Sequence, residues 1–295
     1  MISYRIEHRT TYTYDADVTG SYGLFHLRPR DLAWQSCLAH EIAIDPEPAD
    51  LFRHIDLYGN TKAYFHVIKP HTRLVVTSIS MVDIGVNELD PEALAMPWEW
   101  AQPRFRANDG EAWEAMDFTF PSPYVEVPPA IEDYARQSFP AGRPIGEAAV
   151  ELMHRIHRDF TYKSGSTTLS TKISELLEER TGVCQDFAHF MVSSLRSLGL
   201  AGRYVSGYLA TRPAPGKPRL IGDAASHAWA GCWIPGAGWL YLDPTNDRFV
   251  DDSHATVAWG RDYGDVPPVK GVIFTEAKKS KMEVSVDMAE AQPAG

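Results

Sequence analysis

The sequence predicts an α+β fold, an antiparallel β-sandwich followed by a domain in which helices pack on an antiparallel sheet. Three observations carry that prediction. Roughly the first 85 residues read as strands, residues 130–198 place apolar side chains at helical spacing, and beyond Gly199 the pattern returns to that of strands.

In the first part, Ile2 to Tyr14 is rich in Thr and Tyr, and Leu38 to Ile44 follows as a second strand. Leu51 to Tyr58 and Thr61 to Ile68 flank Gly59-Asn60, a pair suited to a two-residue hairpin turn. Arg73 to Ile84, with Leu74-Val75-Val76 and Ile79, is another strand. Residues 86–125 change character: Pro91, Pro97, Pro103, Pro121 and Pro123 interrupt the pattern, while Trp98, Trp100, Phe105 and Trp113 supply apolar anchors. This reads as a packed linker, partly helical at 90–96.

Helices are predicted over Ala130 to Phe139, Ile145 to Phe160, Ile173 to Glu179 and Val183 to Leu198, the last closed by Gly199. Strands follow at Gly202 to Leu209, Ser226 to Ile234 and Trp239 to Leu242, with a loop marked by Pro213, Pro215, Gly216 and Pro218. Val272 to Phe274 and Met282 to Val286 suggest one more hairpin. The expected domains are 1–120, β-rich with its linker, and 121–287, the α+β core, with 288–295 as a disordered tail.

Composition narrows the chemistry. The chain has 295 residues, of which 44% are hydrophobic, enough to fill two cores. No apolar stretch approaches a membrane span, and Met1 to Arg5 does not open a secretory signal. Three cysteines, Cys37, Cys184 and Cys232, do not make a disulfide framework, so a reducing, cytoplasmic setting is expected. A formal net charge of -11 argues against nucleic-acid binding, which depends on cationic contacts to phosphate.

Cys184, in Thr181-Gly182-Val183-Cys184-Gln185-Asp186, falls in the first turn of the best-patterned helix. Unpaired N–H groups there favour a thiolate, the nucleophilic form, and suit the oxyanion formed when a carbonyl is attacked. Alone, such a cysteine is more often a small buried apolar residue. The company it keeps decides otherwise. His227 lies on one strand and Asp243 ends the next, which is what nucleophilic catalysis needs: a base for the thiol and a carboxylate to fix the base. Strand parity puts His227, Trp229, Gly231 and Trp233 on one face and Cys232 on the other. A register setting Trp229 opposite Asp243 brings the carboxylate diagonal to His227 on that face, and a slip of one residue turns it away. Trp229 and Trp233 either wall a pocket or pack in the interior.

Other histidines fit less well. His189, five residues after Cys184, points elsewhere on the helix. His154 and His157 share a face at i,i+3 without a third ligand, and His40, His54, His66 and His71 lack metal-motif spacing. A zinc site on Cys184 and His227 would need a further ligand such as His189 or Asp243. No metal or cofactor is expected.

These segments resemble the transglutaminase-like cysteine enzymes, in particular the bacterial two-domain branch with a β-rich N-terminal domain. The resemblance rests on Gly182 to Asp186, Arg203 to Tyr208, His227-Ala228-Trp229, Leu242 to Thr245, and Gly260 to Tyr263 with Asp265 to Pro268. It implies a papain-like core, a triad of Cys184, His227 and Asp243, and attack on a peptide or protein carboxamide through a thioester released to water or an amine. Hydrolysis or intramolecular ligation is favoured over crosslinking, because nothing marks a second, amine-binding site. The other reading is a noncatalytic peptide-binding or assembly module; loss of a triad member would mark it, and all three are present. The tryptophan that steadies the oxyanion in animal relatives has no counterpart in residues 145–183, where Tyr162 or the Cys184 amide would have to substitute. Their calcium dependence is not carried over, since no EF-hand-like loop is present. Neither acyl donor nor oligomeric state is fixed by the sequence.

Overall fold

β1 (Ile2–Phe25) is a strand of 24 residues whose length organises the first domain. The computed structural model describes residues 1–102, 113–210 and 226–291; Pro103, Phe105 and the Pro213–Pro218 loop lie outside the described residues. β2 (Gln35–Asp45), β3 (Asp50–Ile55), β4 (Thr61–Val67) and β5 (His71–Ile84) join β1 in one antiparallel sheet, in the order β2-β5-β1-β4-β3. The first half of β1 pairs with β5 from Ile2↔Ile84 to Thr13↔Arg73, and the second half pairs with β4 from Ser21↔Val67 to Phe25↔Ala63. A register break between Thr13 and Val18 separates them and gives the strand room to bend. Both halves close on a common core, Tyr14, Leu74 and Val76 meeting Phe25, Phe65 and Val67. The predicted sandwich is thus one sheet folded along its longest strand. The β3–β4 connection is longer than two residues because Asp56 organises it: its carboxylate accepts the N–H groups of Tyr58 and Asn60, and its carbonyl that of Gly59.

The second domain begins with two short helices, α1 (Pro91–Leu94) and α2 (Trp113–Met116). α3 (Pro129–Arg136), α4 (Ile145–Asp159), α5 (Ile173–Glu179) and α6 (Cys184–Ser197) then form the helical layer. Two-residue strands β6 (Thr161–Tyr162) and β7 (Thr181–Gly182) pair in parallel. The main sheet contains β8 (Gly202–Leu209), β9 (Ser226–Ile234), β10 (Gly238–Asp243), β11 (Arg248–Phe249) and β12 (His254–Gly260), ordered β11-β10-β9-β8-β12. Phe190, Met191 and Leu195 of α6 pack against Ala230, Cys232 and Ile234 of β9 in the largest core.

The predicted domain limits need correction at both ends. β13 (Val269–Thr275) and β14 (Ser280–Glu290) do not form a hairpin: both run antiparallel to β1, β13 on its second half and β14 on its first. The span 269–290 therefore returns to the first domain, and 288–290, placed in the tail by sequence, is strand with Met288 buried; residues 292–295 lie outside the described residues. The reason is that the alternation of Val286 and Met288, which are buried while Val284 stays exposed, announces a buried face without announcing its partner. At the other limit, Trp98, Ala101, Ala115 and Phe118 belong to the core of the second domain, so the linker up to residue 120 packs there.

The two domains are joined along β12. Gln35, wholly buried, donates to the Thr256 carbonyl at 2.8 Å and accepts the Thr256 N–H at 2.8 Å. Asn60 repeats the arrangement with Trp259, donating at 2.8 Å and accepting at 3.0 Å. The Arg30 and Arg203 guanidinium groups both stack on the Trp259 ring, at 3.5 and 3.7 Å.

Candidate active site

Cys184 opens α6, and the chain enters that helix through a tight local arrangement. Asp186 reaches back to accept the Val183 N–H at 2.8 Å and also accepts the Thr167 hydroxyl at 2.6 Å. Burial raises the Asp186 pKa despite those two bonds. Gly182 is required here, since a Cβ on it would lie 2.8 Å from the Asp186 Cβ. The β6–β7 pairing sets Tyr162 opposite Gly182, so this exposed phenol stands beside the strand that leads to the cysteine. Burial, and after it the charge of Cys184, raises the pKa of both Tyr162 and the buried Tyr204. The thiol itself is half-buried.

The β9–β10 ladder runs from Gly238↔Ile234 to Leu242↔Ala230, and one further step sets Asp243 opposite Trp229. This is the register anticipated from strand parity. His227 Nε2 and Asp243 Oδ2 are 2.7 Å apart, leaving Nδ1 for the thiol. Burial pulls the His227 pKa down, but the bonds to Asp243 and Cys184, with their charges, prevail and raise it from 6.5 to about 10. Asp243 is fully buried, yet hydrogen bonds from His227, His254 and Asn246 overcome burial and hold its carboxyl well below the usual range. Its Oδ1 accepts the Thr245 and Asn246 N–H groups at 3.0 and 3.3 Å, while Oδ2 accepts the Asn246 amide at 2.7 Å.

The remaining expectations sort themselves by contact. Cys232 faces the helices, and burial pushes its thiol up to about 12. Trp229 is fully buried and Trp233 nearly so, which makes both interior packing. His189 stacks on Tyr124, meets the tilted ring of Tyr204 and accepts the Tyr263 N–H at 3.1 Å; burial lowers its pKa to about 4. His154 and His157 do share a helix face, but they engage the turn behind Asp243: His154 pairs with Asp247 at 2.5 Å and His157 meets the Thr245 carbonyl at 3.1 Å. Gly260 to Tyr263 is a structured loop, its Arg261 carbonyl accepting from Arg196 of α6 at 2.6 Å.

Three contributors were not anticipated. His254 Nε2 lies 3.4 Å from Asp243 Oδ2, Asp251 flanks the other side of His254, and Asn246 braces Asp243 from its own turn. The Asn246 position is a turn signal just past Asp243-Pro244-Thr245, which could have been read. His227, Asp243 and His254 bring three ligand-type atoms within 4.8 Å of one another, the kind of cluster that can hold a metal. Here a ring N–H donated to Asp243 Oδ2 by each histidine accounts for the cluster as a hydrogen-bonded chain.

Comparison with known proteins places the chain in a family. Residues 4–83 match the bacterial transglutaminase-like N-terminal region, and residues 132–244 match the core of the transglutaminase-like superfamily. An uncharacterized protein of Mycobacterium tuberculosis is 47% identical over 294 residues, covering 97% of this chain and 92% of its own. A protein-glutamine gamma-glutamyltransferase of Pseudomonas aeruginosa is 33% identical over 119 residues, 39% of this chain and 18% of that one. In fold, a Cytophaga hutchinsonii protein solved as a candidate cysteine protease superposes with a TM-score of 0.74 at 20% identity, covering 99% of this chain and 93% of that one. With an N-terminal region and a core that each match, and a relative this similar along nearly its whole length, the chain belongs to the transglutaminase-like superfamily.

Proposed function

We infer that the protein is a cysteine-dependent acyl-transfer enzyme acting on a peptide or protein carboxamide, with Cys184 as nucleophile, His227 as base and Asp243 as the group that orients the base. The observation that carries this reading is His227 held between Asp243 at 2.7 Å and the Cys184 thiol, with its pKa raised to about 10. Such an imidazole, once protonated by the thiol, remains protonated long enough to serve as the acid of the next step.

The reaction follows from those groups. At neutral pH His227, with its pKa raised to about 10, already holds the proton given up by the thiol, and the Cys184 sulfur bonds to the carbonyl carbon of the substrate amide. The resulting oxyanion is received by the free N–H groups at the α6 N-terminus, with the Tyr162 hydroxyl as a further donor. As the C–N bond breaks, the His227 imidazolium gives its proton to the departing nitrogen and a thioester remains. Water or an amine then attacks that thioester, His227 accepts the attacker's proton, and the sulfur leaves as the group that recovers it.

Alkylation by iodoacetamide tests the pair directly, because the molecule carries its own controls. Cys37 is half-buried and Cys232 is enclosed, and burial raises the pKa of both. Below about pH 7, Cys184 is expected to react faster than Cys37, and His227→Ala to remove that advantage. Intact-mass analysis after exposure to a peptide-amide library should show an acyl adduct on the wild type and none on Cys184→Ala. Equal alkylation of Cys184 and Cys37 at low pH would sink the reading.

A further inference from the structure

Two imidazoles meet on one carboxylate oxygen. His227 Nε2 stands 2.7 Å from Asp243 Oδ2, and His254 Nε2 stands 3.4 Å from the same atom. An ionised carboxylate only accepts, so each of these nitrogens carries a proton directed at it. The chemistry proposed for the site uses one of the two histidines. The second is 1% exposed and closed off from solvent, so it touches no substrate.

His254 is gripped on every side. Its Nδ1 lies 3.0 Å from Asp251 Oδ1 and 3.2 Å from the Asp251 N–H. Asp251 is itself fixed by the Ser253 N–H at 2.9 Å, by the Ser253 hydroxyl at 2.5 Å and by Arg248. Trp229 packs edge-on against the ring at 5.3 Å. Two residues along β12, Thr256 is bonded through both its N–H and its carbonyl to Gln35 of the first domain. The donor that faces Asp243 is therefore anchored at both ring nitrogens and along its strand.

We propose that His254 is a positioning residue: it fixes Asp243 Oδ2 where the His227 N–H meets it, and so keeps the His227 ring aimed at Cys184. This rests on the cysteine-enzyme reading above. The terminal torsion of an aspartate is broad, so a carboxylate tied at one oxygen swings easily. Oδ1 of Asp243 is tied to two backbone N–H groups, and Oδ2 to His227, His254 and Asn246. Of the three donors on Oδ2, His227 must remain responsive to the thiol and Asn246 sits on the half-exposed turn after β10. His254 alone is enclosed. Among the described residues, the charged and titratable groups facing this chain of bonds are Cys184, Asp251 and Arg248, with the His154–Asp247 pair on the turn behind it.

Two amide substitutions of the full-length chain separate the contacts. In His254→Asn the amide matches the reach of Nδ1, so it can serve Asp251 and falls short of Asp243. In His254→Gln it matches Nε2, so it restores the donor to Asp243 and abandons Asp251. The measurement is the Cys184 alkylation rate by iodoacetamide between about pH 5 and 9, beside melting temperatures. In His254→Asn the half-maximal pH should rise by about one unit, a roughly tenfold loss of rate at the acid end. His254→Gln should recover most of that shift although both variants melt earlier. A merely structural histidine would lower the melting temperature in both and leave the profile in place. If His254→Asn keeps the wild-type profile while His227→Ala loses it, the positioning role is overturned and the cysteine enzyme stands. Should wild-type Cys184 itself alkylate as it does in His227→Ala, the enzyme reading fails and this role falls with it. Should His254→Asn not fold, Asp251→Asn, which loosens the grip on Nδ1, is read in its place with the same two outcomes.

Discussion

Asp243 is the most constrained side chain of the site, and its constraints define what a substitution would do. Asp243→Asn keeps the size and an acceptor for the Thr245 and Asn246 N–H groups that Oδ1 now takes. Its amide NH2 would then stand where Oδ2 accepts from two rings and from Asn246, a set of donors facing donors. His227 must answer by moving its proton to Nδ1, the nitrogen that has to accept from Cys184. Acyl transfer is expected to fall by roughly 10^3–10^4-fold, read as the rate of adduct formation on Cys184 with a peptide amide. A variant within tenfold of the wild type would remove Asp243 from the mechanism. The position was legible in the sequence because strand parity ties His227, Trp229 and Asp243 to one face once their register is chosen. His254 was not legible. Its place depends on β12 lying beside β8, a pairing of residues separated by more than forty positions, and nothing in Ser253-His254-Ala255 distinguishes it from the start of any strand.

At the scale of the element, the sheet beneath the site depends on one missing side chain. Gly207 of β8 pairs with His227, and a Cβ there would come within 2.4 Å of the Trp229 ring and 2.2 Å of the Ala255 carbonyl. The second contact is backbone, so β12 itself would have to move. Gly207→Ala is therefore expected to destabilise by about 1–3 kcal/mol, visible as a lower urea midpoint. Because the displaced strand carries His254, the acid end of the Cys184 alkylation profile should shift as well. An unchanged midpoint would show that the strands relax freely. Periodicity revealed most of these elements: α4, α5 and α6 occupy the predicted stretches to within about a turn, and β9 and β10 stand where predicted, although both of their faces are buried. It missed β6, β7 and β11, which are two residues each and too short to show a period, and it missed the seven residues of β12. It also gave the wrong partners to β13 and β14, because alternation identifies the buried face of a strand and is silent on which edge receives it.

For the molecule as a whole, the buried histidines set the response to acid. Burial lowers the pKa of His8, His40 and His189 from 6.5 to about 4, with Arg28 and Arg53 adding to the effect at His40. The unfolded chain takes up these protons near pH 6.5 and the folded one resists until about pH 4, so stability is lost as pH falls through that window. His227 has the opposite sign: raised to about 10, its contribution is complete below pH 6.5 and is lost as pH climbs through 10. Asp186, also raised, holds its proton more firmly when folded and offsets a part of the acid loss. Asp56 and Asp243, both lowered, give up their contributions only below the ordinary carboxylate range. Stability should therefore peak near neutrality. His8 is the most informative of the group because it sits between the domains, its Nδ1 3.0 Å from the Tyr208 hydroxyl of β8 and its Nε2 2.9 Å from Thr10. A fully buried histidine of this kind carries about 1.4 kcal/mol for each unit its pKa is displaced. His8→Gln keeps a polar side chain in that junction and removes the proton, so its urea midpoint should fall less steeply than the wild type's between pH 6.5 and 4. Equal slopes would mean that the junction opens before His8 titrates, and that the acid limb belongs to His40 and His189.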